Sequence, residues 1–163
     1  MSRDLNDYER QILDNVRNYG CHINYVADPE GEQPPFGYSV GFPETVGQPE
    51  VIVFGLSSEL VAAMINAIYR QCRDGLQMED GLVVSDLLAG HDCVLERVAT
   101  HNIVPDYFNS AMWFRRHMTG EAMDAAYQIV WPGAQDGLFP WDEGASDQVR
   151  ALQPPLSSES FKA

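Results

Sequence analysis

Phe36-Gly37-Tyr38-Ser39-Val40-Gly41-Phe42 is the stretch on which the fold turns. Alternation puts Phe36, Tyr38, Val40 and Phe42 on one face of a strand and Gly37, Ser39 and Gly41 on the other, so one face is bulky and the other nearly bare. Glycine in a strand forfeits packing and costs backbone entropy. Two of them around a serine indicate close approach by another element or by a ligand. Just upstream, residues 21–27 alternate Ile23 and Tyr25 against His22 and Asn24, a strand broken by the turn-rich residues 28–35. Just downstream, after a loop holding Pro43, Gly47 and Pro49, Val51-Ile52-Val53-Phe54 is the continuous apolar run of a strand buried on both faces.

Helices flank these strands. Over residues 2–19 the apolar positions Leu5, Tyr8, Ile12, Val16 and Tyr19 recur at helical spacing, Asn6 with Glu9 forms a capping box, and Gly20 supplies the stop. Ser57 or Ser58 caps a second helix, in which Leu60, Met64, Ile68 and Cys72 form one row and Val61, Ile65 and Tyr69 the next, ending at Gly75. Residues 76–90 show no clear period and are expected to be irregular. A strand over residues 92–98, a helix opened by Pro105 and a strand over residues 127–131 follow. These elements predict one α+β domain over residues 1–142. Its mainly antiparallel sheet should have four to five strands packed by two or three helices. Residues 143–163, rich in Gly, Ser, Pro and Gln, are expected to form a peripheral or disordered tail.

Composition narrows the function. Hydrophobic residues make up 45% and charged residues 21% of 163, close to globular averages, so an ordinary folded core is expected. No apolar run approaches the roughly 20 residues that span a bilayer, and the first residues lack an apolar signal region, so the expected location is the cytoplasm. The net charge of −14 repels phosphate backbones and anionic lipid, arguing against nucleic-acid and membrane partners. It suits a basic protein partner. The single lysine, Lys162, lies in the polar tail, a poor place for Schiff-base chemistry. Cys21, Cys72 and Cys93 read as buried thiols, and neither His91-Asp92-Cys93 nor Cys21-His22 has the four-ligand spacing of a zinc site.

Three stretches carry a resemblance: residues 36–44 (FGYSVGFPE), residues 49–60 (PEVIVFGLSSEL), and residues 128–141, with Gln128-Ile129-Val130-Trp131-Pro132 and Asp136-Gly137-Leu138-Phe139-Pro140-Trp141. In this order they resemble a bacterial family known as domain of unknown function number 4262, over residues 20–142. The family's usual charged residue between Pro132 and Asp136 is replaced here by Gly133-Ala134-Gln135. The order of elements is also similar to split barrels that bind flavin mononucleotide, which implies that cofactor by fold analogy alone.

The candidate ligand pocket joins the bare strand face, with Gly37, Tyr38, Ser39 and Gly41, to the late aromatic segment. There Trp131 and Trp141 would stack a planar or nucleotide-like molecule and Gln128 or Asp136 would bond its edge. The competing readings are a helix packed over the glycines and tryptophans that seal the core. His22 is a candidate general base, with Glu44 as a candidate catalytic carboxylate. Glu44 and Glu50 flank the loop after the small-faced strand, where a carboxylate suits a hydroxyl or a cation. Arg115, Arg116 and His117 close a helix, either to hold an anion or to complement the helix dipole. Three functions follow: a small-molecule pocket, a non-enzymatic acidic interaction or inhibitor module, and a small enzyme built on His22. The oligomeric state is left open.

Overall fold

The computed structural model describes residues 4–157. Helix α1 (Asp7–Tyr19) has the capping box at Asn6 and Glu9 and ends at Gly20 in a left-handed conformation. The expected start at Ser2 and the lone Lys162 lie outside the described residues. Strands β1 (His22–Val26) and β2 (Phe36–Val40), the short helix α2 (Phe42–Val46), strand β3 (Glu50–Phe54) and helix α3 (Ser58–Arg73) come next. Strands β4 (Val83–Leu88) and β5 (His91–Arg97), helix α4 (Pro105–Thr119), strand β6 (Ala126–Val130) and helix α5 (Asp147–Leu152) complete the order.

The strands form one six-stranded open sheet in the order β1-β2-β3-β6-β5-β4. Only β3 and β6 pair in parallel; every other pair is antiparallel. The α+β class and mainly antiparallel sheet are as expected, but the sheet has one strand more. That strand, β4, lies in the stretch expected to be irregular. Its register shifts between Val84 and Leu88, and Asp86 sits at φ +66°, so the alternation that would have revealed it is broken. The split-barrel likeness is overturned too, because β1 and β4 end an open sheet.

Each face of the sheet carries its own core. On one, Val51, Val53, Leu95 and Ile129 pack under Val61, Met64, Ile65 and Ile68 of α3. On the other, Tyr38, Val40, Ile52 and Phe54 pack under Ile12 and Val16 of α1 and Phe108, Ala111 and Phe114 of α4. Phe42, expected beside Tyr38 and Val40, joins the α3 core instead. Gly41, at φ +106°, turns the chain out of β2 and sends the next side chain to the opposite face. The loop expected there contains α2, too short to show a helical period.

Residues 143–157, the first part of the expected peripheral or disordered tail, instead carry α5 and bury Ala145, Val149, Gln153 and Leu156. The Gln153 side chain accepts from the Trp131 N–H (2.9 Å) and donates to the Trp131 carbonyl (2.9 Å). Gln128 accepts from the Leu156 N–H and donates to the Pro154 carbonyl. Two buried amides thus stitch this segment to β6. Residues 158–163 lie outside the described residues. Among those described, no helix is long and apolar enough to cross a membrane.

Candidate functional site

The site begins at Glu50, the first residue of β3, which is only 3% exposed. Its carboxylate collects three donors from the end of β2 and the turn after it. The Ser39 hydroxyl (2.7 Å) and Phe42 N–H (3.1 Å) donate to Oε1, and the Gly41 N–H (2.7 Å) to Oε2. Ser39 Oγ in turn accepts from the Val51 N–H at 2.9 Å. The turn needs Gly41 for its left-handed φ and because a Cβ would meet Val16 at 2.9 Å. Burial pushes the Glu50 carboxyl up to about 8 and the nearby Glu44 charge adds to this, against the pull of the three donors. Glu50 is therefore a proton-holding group near neutral pH.

Above it, Glu44 on α2 faces Arg115 on α4, with Arg115 Nη1 donating to Glu44 Oε2 at 2.6 Å. This pair joins the two helices. Glu44 Oε1 is buried and has no hydrogen-bond partner among the described residues. Beside the pair a cleft of about 270 Å³ opens, lined by Pro43, Gln48, Pro49, Glu50, Arg115 and Asp124. It sits where α2, the α2–β3 link and the α4–β6 link converge, beside Glu50 and its parallel partner Ala126. Its lining sets the Asp124 carboxylate and the Glu50 carboxyl beside the Arg115 guanidinium, so it suits a small polar molecule carrying both N–H donors and an acceptor.

The structure brings together Ser39, Gly41, Glu44 and Glu50. It does not join them to the tryptophans. The bare face of β2 is filled: a Cβ on Gly37 would stand 2.4 Å from Val61 Cγ1 of α3, and Ser39 is engaged by Glu50. Tyr38 points to the opposite core, where its hydroxyl accepts from the Asn24 amide and the Ser110 N–H. The Trp131 indole N–H donates to the Phe54 carbonyl at 2.7 Å, at the far end of β3 from Glu50, about 13 Å away at the usual strand rise. Gln128 is spent on the 154–156 segment. Asp136 is exposed and accepts from the Leu138 N–H inside its own turn, and Trp141 stacks on Phe139.

His22 lies under α1, not in the cleft. Asn15 Nδ2 approaches its Nδ1 at 3.0 Å, the Tyr8 ring packs edge-on, and burial lowers its pKa below the ordinary histidine value. Of the cationic trio, Arg115 pairs with Glu44, Arg116 donates to the Gly120 carbonyl at the end of α4, and His117 stacks on Trp113. The three cysteines are buried and unbridged. Burial pushes the Cys21 thiol, helped by the Glu50 charge, up to about 12. No group of three His, Cys, Asp or Glu side chains among the described residues is placed to hold a metal ion. Asp124 and Gln48 escaped the sequence reading, since each lies in a linker with no period to mark it.

A family model described as "Domain of unknown function (DUF4262)" matches residues 15–146. No curated protein and no solved structure matches the chain.

Proposed function

The chain belongs to the DUF4262 family, and from that premise we propose that it is a small-molecule-binding domain whose ligand occupies the cleft over Glu50. The ligand turns a cationic or N–H-donating group to Asp124 and an acceptor to Arg115, which Glu44 holds in place from behind. The observation that carries this reading is the cleft itself, which brings the Asp124 carboxylate, the Arg115 guanidinium and the buried Glu50 carboxyl to one opening. A ligand with N–H donors and an acceptor meets the charged groups of this lining, Asp124 and Arg115, by charge-assisted hydrogen bonds. Glu50 beneath it supplies or takes a proton near neutral pH.

The test is a thermal-shift and calorimetric screen of small amines, amino acids and amino sugars, with Arg115→Gln and Asp124→Asn as controls. Binding should weaken about tenfold in each variant, the loss of roughly one charged hydrogen bond. If no compound binds, or if binders are indifferent to both substitutions, the cleft is not the site. A coloured protein on purification would instead mean that a chromophore, and not an amine, is the bound molecule. A second reading rests on the net charge of −14. In that reading the acidic surface steers onto a basic protein, and capture of that partner should weaken steeply with salt.

A further inference from the structure

The sheet has two edges, and they are built differently. The β4 edge is blunted by its bulge and carries Asp86. The β1 edge, His22-Ile23-Asn24-Tyr25-Val26, is regular over its whole length and has no proline, no bulge and no acidic or basic residue apart from the buried His22. Natural edges of this kind ordinarily carry such guards against pairing.

The hydrogen-bond parity says which groups face out. The Gly55 N–H donates to the Pro35 carbonyl at 2.8 Å, and Phe36 stands opposite Phe54, so the odd-numbered residues of β2 bond toward β3 and the even-numbered ones toward β1. Asn24 stands opposite Tyr38, so the backbone of His22, Asn24 and Val26 is used by β2. The N–H and C=O groups of Ile23 and Tyr25 point outward, and among the described residues no strand pairs with that side.

The geometry points to this edge as the surface on which a second copy of the chain pairs, strand to antiparallel strand, about a two-fold axis at Asn24. The pattern is self-complementary: Ile23 of one copy falls opposite Tyr25 of the other, both with outward backbone groups, and the sheet continues across the dimer. Both side chains pack partly buried at the rim of the α3 core, so pairing sets a β-branched residue against an aromatic. Of the six large hydrophobic side chains exposed among the described residues, Tyr8, Tyr19 and Val26 lie on α1 and β1, beside this edge. The same register carries the acidic loop after β1, with Asp28, Glu30 and Glu32, toward the second copy's α1, whose last turn holds Arg17.

The test is light scattering across a concentration series, with amide hydrogen exchange at its two ends. The mass should double, and the Ile23 and Tyr25 amides should slow by about tenfold or more as it does. The Asn24 amide, already bonded to β2, should not change. Ile23→Lys should give a monomer in which Asn24 stays protected. Three results would each overturn the pairing. One is a monomer at every concentration; another is a dimer that leaves the Ile23 and Tyr25 amides unprotected. The third is protection that does not depend on concentration, which would mean that the chain covers its own edge.

Discussion

Glu50 couples the chemistry of one side chain to the shape of a turn. Its carboxyl receives Ser39, Gly41 and Phe42, and burial sets its folded value at about 8 against an ordinary 4.5. A raised value means the native state holds the proton more tightly. The resulting stability is fully present below about pH 4.5 and is lost as pH rises through about 8. Over that window the drop is about 5 kcal/mol at most. Urea unfolding at a series of pH values should show this fall in the wild type and a much flatter curve for Glu50→Gln. The variant should also be the less stable at low pH, because an amide N–H₂ must face the Gly41 or Phe42 N–H. An equal slope in both would place the titrating group elsewhere. The sequence marked Glu44 and Glu50 as loop carboxylates and Arg115 as a helix-end cation. The arrival of Arg115 beside them was not legible, since it lies on α4, far along the chain from α2 and β3.

Strand β2 and helix α3 meet where Gly37 leaves room for Val61. Ala at 37 would place its Cβ 2.4 Å from Val61 Cγ1, and Val61, fully buried and β-branched, has little freedom to turn away. Gly37→Ala should therefore destabilise by about 1–3 kcal/mol. Val61→Ala in the same chain should recover part of that loss, as read from a double-mutant cycle of denaturant midpoints. Additive losses would mean the two do not compete for space. The alternation of residues 36–40 announced a bare face and close approach to it. It could not say whether the approaching partner was a helix or a ligand, because a missing side chain leaves the same space for either.

At the scale of the whole molecule, residues 143–157 belong to the body. Val149 and Leu156 are buried and Gln153 holds Trp131 by two hydrogen bonds, so a chain ending at residue 142 should lose about 3–6 kcal/mol from the two apolar side chains alone. Its midpoint in urea checks this, and an unchanged midpoint would show that the segment adds nothing. The sequence by itself determined the helices α1, α3 and α4, the strands with intact alternation, the α+β class and the buried thiols. Each of these rests on a period or a cap written within a few neighbouring residues. Only the tertiary structure decided that Gln128 and Gln153 tie a returning segment to β6, that Phe42 crosses to the other core, that β4 is a strand, and that Glu50, Arg115 and Asp124 line one cleft. Those outcomes depend on contacts between residues distant in the chain, and on a single positive φ at Gly41 or Asp86, neither of which leaves a periodic trace in the sequence.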